Sequence, residues 1–207
     1  MKIGALTAAW AGQPLEEVLD FFAGAGLRAV EIGTGNYPPN SHCDPAKLNA
    51  DAAARKAFMK AIESRGMVLS ALSCHGNPLH PNVKVAKSNH EVFVQTVQLA
   101  KKLGISEVNG FSGLPAGAPG DKTPNWVVAP WPEDHLAALE YQWGVAIAYW
   151  KEQNRFLEKH KVNMCFEMHP NFLVYNPESL IKLRNACGDR MCANFDPSHL
   201  FWQGIDP

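Results

Sequence analysis

The chain has 207 residues, 46% of them hydrophobic, and its 19 Lys+Arg against 20 Asp+Glu leave a formal charge of −1. That length carries a sizeable core in one or two domains, and the balanced charge removes the electrostatic argument for binding nucleic acid or an acidic membrane. No apolar stretch is long enough to cross a bilayer, and five cysteines (Cys43, Cys74, Cys165, Cys187 and Cys192) without Cys-x-x-Cys spacing predict reduced thiols in a cytoplasmic protein.

The start, "MKIGALTAAWAG", has one Lys before a mostly apolar run. It lacks the strong basic region of an export signal, so it is read as a first strand, "KIGAL". Leu15, Val18, Leu19 and Phe22 then recur at helical spacing behind Pro14, a residue suited to a first helical turn. "RAVEIG" is the second strand. Ala54, Phe58 and Ile62 predict a helix that ends before "SRGM", and "VLSALSCHG" is the third strand. Phe93, Val97, Ala100 and Leu103 predict the next helix, followed by "ISEVNGF" as the fourth strand. A Pro- and Gly-rich stretch, Ser112–His135, carries Trp126 and Trp131. It reads equally as a lid over a site or as a surface excursion pinned by its two tryptophans. Leu136, Leu139, Trp143, Trp150 and Leu157 mark a long helix, and "VNMCFEMH" is the fifth strand. "NPES" opens a short helix through Leu180 and Leu183, and "MCANFD" is the sixth strand. Gly26, Gly66 and Gly104 stand where helices should stop.

Strand and helix thus alternate with a repeat of roughly 30–40 residues, which predicts an α/β fold with parallel strands and right-handed crossovers. No Gly-x-Gly-x-x-Gly follows the first strand, so a dinucleotide-binding sheet loses its main signal. Polar residues close many of the strands, and the C-terminal strand ends are where a (β/α)8 TIM barrel builds its site. Such a barrel takes about 250 residues. The expectation is a single domain over residues 1–207: a TIM barrel, C-terminally incomplete, with about six strands.

Strand alternation sorts the candidate chemistry. Asn163, Cys165, Glu167 and His169 share one face, and Met164, Phe166 and Met168 the other. Cys192, Asn194 and Asp196 share a face opposite Met191, Ala193 and Phe195. The bulkier apolar sets should face helices, which turns Glu167 and Asp196 inward at one rim. Two carboxylates there repel unless one is protonated or a cation lies between them. A divalent metal solves this most simply, and hydrogen bonding to backbone or basic residues is the plainer alternative. Oxygen and imidazole donors suit Mn²⁺, Mg²⁺ or Co²⁺, with Zn²⁺ also open. Glu31 reads singly as a salt-bridged rim residue, and His75 and His80 each as satisfied polar residues. Trp10, Trp126 and Trp202 read as packing residues or as platforms for a sugar.

The segments "FEMHP", "NFDPSHLFWQGIDP" and "CHGNPLHP" resemble, in order along the chain, the xylose isomerase-like superfamily of sugar phosphate isomerases and epimerases. The resemblance implies one divalent ion, Mn²⁺ foremost, held by Glu, Asp, His and Glu at the ends of the fifth to eighth strands. Glu167 and Asp196 match the first two, and the other two would lie beyond Pro207. It implies that His199 contacts substrate hydroxyls, with His75, His169, Trp202 and Trp10 as further substrate-binding residues. The implied reaction isomerises or epimerises a small sugar through an enediolate, with Glu167 as one acid/base and a second Glu on the eighth strand. The ketohexose 3-epimerase branch tends to carry a second glutamate where Leu173 stands, so keto-sugar, inosose and glycoside-derived substrates stay open.

Two competing readings remain. A zinc-dependent endonuclease for abasic DNA would use His75, Glu167, Asp196 and His199. However, Asn109 stands where that family places a histidine, and the charge is not basic. A non-catalytic truncated barrel would bind metal poorly. Exposed flanks on "KIGAL" and "MCANFD" would in either case predict a homo-oligomer.

Overall fold

A computed structural model describes all residues 1–207. The strands are β1 (Gly4–Leu6), β2 (Ala29–Gly33), β3 (Val68–Ser73), β4 (Glu107–Gly110), β5 (Asn163–Glu167) and β6 (Met191–Asn194). The helices are α1 (Leu15–Gly24), α2 (Pro45–Ala50), α3 (Ala52–Glu63), α4 (Val83–Leu103), α5 (Glu133–His160), α6 (Pro177–Cys187) and α7 (Pro197–Phe201), with a 3₁₀ turn over Thr7–Trp10. The strands form one parallel sheet in chain order, β1 to β6, and the sheet does not close on itself. Every strand lies where the apolar runs put it. The alternation therefore gives the α/β class and six strands of the barrel architecture.

The chain packs as two compact units. The first holds Met1–His75, Val92–Asn109 and His160–Val162, and the second Gly76–Glu91, Gly110–Lys159 and Asn163–Pro207. In the first unit Val18, Leu19 and Phe22 of α1, Val30 and Ile32 of β2, Ile62 of α3 and Val97 of α4 are buried. Each such side chain contributes about 1.5–3 kcal/mol relative to exposure. The helix expected through Ala54, Phe58 and Ile62 is α3, and a second, shorter helix, α2, precedes it. Asp44 Oδ1 accepts from the amides of Ala46 and Lys47 at 2.9 and 3.2 Å. Asp51 Oδ1 accepts from Ala53 and Ala54 at 2.8 and 3.0 Å. Two N-caps seven residues apart define two helix starts. Glu31 is not salt-bridged but accepts a hydrogen bond from Ser73 Oγ.

In the second unit Trp150 of α5 meets Phe166 of β5 edge to face, with centroids 4.7 Å apart. Met164, Phe166 and Met168 are all buried, as the alternation requires. On β6 only Met191 follows that rule, since Ala193 is exposed and Phe195 is 56% exposed. α7, the helix that follows, has five residues, too few to cover this face. α6 opens on a capping box: Ser179 N donates to Asn176 Oδ1 at 2.9 Å, and Asn176 N donates to Ser179 Oγ at 3.1 Å.

The stretch between β4 and α5 is anchored at its start. The Asn77 side chain donates to Leu114 O and accepts from Leu114 N, both at 2.9 Å. Trp150 Nε1 donates to Ser112 O at 2.9 Å, and Leu173 N to Gly113 O at 3.1 Å. Gly113 has φ 81°, and a Cβ there would press on Leu79 and Asn77. Of the two expected tryptophan pins, Trp126 packs edge-on against Tyr175 (5.5 Å), whereas Trp131 is 79% exposed and pins nothing.

Candidate metal centre

Parallel pairing sets the site. β5 and β6 pair with Met164 opposite Met191 and Glu167 opposite Asn194, so both strands end at one level. Glu167 is the last residue of β5, and Asn194 Nδ2 donates to its Oε2 at 3.4 Å. Two residues past β6 the chain turns into α7. Pro197 suits the first helical position, and Asp196 caps the helix through Oδ1, which accepts from Ser198 N at 2.8 Å. α7 brings His199 back over the strand ends. Its Nε2 donates to Glu167 Oε1 at 2.9 Å and lies 3.5 Å from Asp196 Oδ2. The side chains of Glu167 and His199 are 18% and 19% exposed, and that of Asp196 is 40% exposed.

His169 is fixed from two sides. Its Nδ1 donates to Pro170 O at 2.7 Å, because a carbonyl can only accept. In the neutral ring this leaves the Nε2 lone pair free. The ring packs on Phe111 (centroids 5.0 Å) and on His199 (4.2 Å), and Phe111 in turn stacks on Phe172 at 4.0 Å. Donor atoms of Glu167, His169 and His199 all lie within 4.8 Å of one another. One carboxylate, two imidazoles and a neighbouring second carboxylate fit a divalent cation in both size and charge.

Asp196 lies outside that three-residue group and reaches it through His199. Trp202 ends α7 and is 57% exposed. Leu173 is buried, so its position offers packing rather than a polar group. A cavity of about 330 Å³ in the same unit, lined by Trp143, Leu173, Tyr175, Glu178 and Lys182, includes none of the candidate residues. In the first unit His75 follows β3, is buried, and accepts the Tyr37 amide on its carbonyl at 2.8 Å. Trp10 sits in the 3₁₀ turn and packs edge-on against Phe22 of α1 at 5.0 Å. His80 Nδ1 accepts from Asn82 N at 2.9 Å, the satisfied polar role expected of it. Pro170, Phe111 and Phe172 were not visible as site residues in the sequence. The His-Pro dipeptide followed by an aromatic at the second position was the available signal.

Residues 19–207 match the family described as xylose isomerase-like TIM barrel. The uncharacterised protein YfiH of Bacillus subtilis is 42% identical over 211 residues, which take in 100% of this chain and 67% of YfiH. Among solved structures, the probable 3-DHS dehydratase AsbF of Bacillus anthracis is similar, with TM-score 0.70 at 15% identity, over 100% of this chain and 67% of AsbF. The IolI protein, solved with a bound zinc atom, gives TM-score 0.68 at 17% identity, over 100% of this chain and 66% of IolI. No helix is long and apolar enough to cross a membrane.

Proposed function

Because the chain belongs to the xylose isomerase-like TIM barrel family, we propose that it takes part in divalent-metal-dependent isomerisation or epimerisation of a small sugar, sugar phosphate, keto-sugar or inosose. The observation that carries this reading is the Glu167–His199 contact at the end of β5, with Asp196 on the far side of the same imidazole nitrogen. Two carboxylates flanking one N–H mark a place where positive charge belongs.

Glu167 and Asp196 would hold the ion, Mn²⁺ where oxygen donors dominate. A bound divalent ion would supply the charge that stabilises an enediolate beside the substrate carbonyl. Glu167 is one acid/base at the carbon next to that carbonyl, where it removes a proton from one face or delivers one to it. Its partial burial keeps bulk water from competing for that proton. His199 and His169 orient substrate hydroxyls, and Trp202 offers an apolar ring face to the sugar C–H bonds. His75, which follows β3, and Trp10, in the turn after β1, are proposed as further substrate-binding residues. A small carbohydrate is the partner, not nucleic acid. The cytoplasm is the compartment, a reading that the buried, reduced thiols of Cys43, Cys74 and Cys187 support.

The test is proton exchange. The chain is incubated in D₂O with Mn²⁺ and a panel of keto-sugars and inososes, and deuterium beside the carbonyl is read by NMR. Exchange that falls by roughly 10²–10⁴-fold in Glu167→Gln is the expected result. No exchange by the parent chain, or full exchange in the variant with metal still bound, would overturn the assignment.

A further inference from the structure

We propose that Cys165 and Cys192 form a reversible dithiol–disulfide site across β5 and β6, which reacts with small disulfides of the glutathione class. The proposal is independent of the ion and the sugar assigned to the rim. The pairing of the two strands carries it. β5 and β6 run in register with Cys165 opposite Cys192. Parallel neighbours in a sheet lie about 4.7–4.9 Å apart, inside the roughly 4.4–6.8 Å that a disulfide spans between Cα atoms. Residues opposite each other also project from the same face of a sheet. Met164, Phe166 and Met191 are buried on the other face, where Phe166 meets Trp150 of α5. Both cysteines therefore leave the sheet on the side away from α5.

The two thiols differ in access. Cys165 is 6% exposed, whereas Cys192 is half-buried. Cys192 is thus the thiol that meets the reagent, and Cys165 the one that resolves the product. Cys192 Sγ lies 3.8 Å from Arg184 Nη1 and 3.7 Å from the Asp189 carbonyl, near the start of β6. Sulfur is a weak donor and a weak acceptor, so turning Sγ toward β5 gives up little. Cys187, the other cysteine of this unit, faces the Ile147 carbonyl of α5 at 3.8 Å, so it lies in the helix layer and does not compete.

The chemistry is two thiol–disulfide exchanges. The Cys192 thiolate attacks one sulfur of glutathione disulfide. That S–S bond breaks, one glutathione leaves as its thiolate, and the other is now bonded to Cys192. The Cys165 thiolate then attacks Cys192 Sγ and expels the second glutathione. Two protein thiols are oxidised, one glutathione disulfide is reduced, and the two protons end on the released glutathiones. Strands held at sheet spacing keep Cβ atoms farther apart than the roughly 3.8 Å of a relaxed disulfide. The bridge is therefore readily reduced, a switchable modification rather than a permanent brace.

The test is a peptide map of the full chain, treated while folded with glutathione disulfide. Remaining thiols are blocked, and the monomer band of a non-reducing gel is cut with trypsin. Cleavage after Lys161, Lys182 and Arg190 puts Cys165, Cys187 and Cys192 on three different peptides. Residues 162–182 should be joined to residues 191–207, with no glutathione retained, and dithiothreitol should undo the link. Cys165→Ser should lose the link and keep glutathione on Cys192, and Cys192→Ser should take up none at Cys165, with far-UV circular dichroism to check folding. The map of the parent chain needs no variant, so it decides the matter even where a serine fails to fold. Glutathione retained on Cys192 without a link, a link from Cys192 to Cys187 or to a second copy in place of Cys165, or no reaction before denaturant is added would each overturn the proposal.

Discussion

Asp196 and His199 face each other across the first turn of α7. Asp196 Oδ2 lies 3.5 Å from the imidazole Nε2, while Oδ1 holds the Ser198 amide at 2.8 Å. One carboxylate thus caps a helix and charges a site, and two substitutions separate these tasks. Asn is as good a cap as Asp, so Asp196→Asn should keep the thermal midpoint and weaken metal binding. Asp196→Ala should weaken metal binding and also lower the thermal midpoint, with about 1 kcal/mol lost from the cap, or roughly 2–4 °C for a chain of this size. Melting curves and metal titrations on the two variants, side by side, check this. An unchanged metal affinity in both would leave Asp196 a cap alone.

Asn77 is buried and holds Leu114 by both its backbone groups. Asn77→Asp removes the donor and turns an acceptor toward the Leu114 carbonyl. Leaving that carbonyl unsatisfied costs about 1–3 kcal/mol. The expected result is a lower urea midpoint and faster protease cutting between β4 and α5. Unchanged cutting would show that the other anchors suffice.

The thiols should differ sharply in reactivity. Burial pushes Cys43 up to about 12, with the Asp44 charge adding to it. Burial pushes Cys74 up to about 12 as well, against a hydrogen bond to Thr96. At pH 8 that leaves roughly one thiol in ten thousand ionised, whereas Cys192 is only half-buried. A disulfide reagent should therefore modify Cys192 first and reach Cys43 and Cys74 only on unfolding. Both buried thiols keep their protons longer when folded, so the stability they contribute is full below the ordinary 9.0 and declines as pH rises toward 12. Denaturant midpoints at pH 8 and 10.5 test the sign, and a rise with pH would contradict it.

Phe195, Phe201 and Trp202 are exposed near the end of β6, and Ile3 and Leu6 around β1. Apolar groups beside an unpaired strand edge recruit other chains. Sedimentation should show self-association that increases with concentration, and the Phe195→Ser, Trp202→Ser double variant should shift it toward monomer. A parent chain that stays monomeric across the range would remove the patch as an interface.

The strands were legible because each is a short apolar run closed by a polar residue, and parallel sheet neighbours need no further code. Glu167 was legible for the same reason, since alternation turns it away from Met164, Phe166 and Met168. α2 and α7 were not. Each depends on a single aspartate cap and a proline, too few residues to leave a hydrophobic period. The closeness of His169 to His199 was equally hidden. It depends on where α7 returns after Pro197, a direction that backbone dihedrals fix and side-chain alternation does not carry. Asp196 shows the remaining gap: its place past the sixth strand was legible, but the turn into α7, which engages its Oδ1 with the Ser198 amide, was not.

Glu167 and Asp196, the residues proposed to hold the ion, both belong to the second compact unit, and neither to the first. Free energy gained by an ion is therefore delivered to part of the molecule. Backbone amides of β5, β6 and α7 should exchange with solvent more slowly when metal is present, because opening them would release it. Amides of β1, β2 and β3 should exchange at the same rate with and without it. A chelator would then loosen one half of this chain and leave the other as it was.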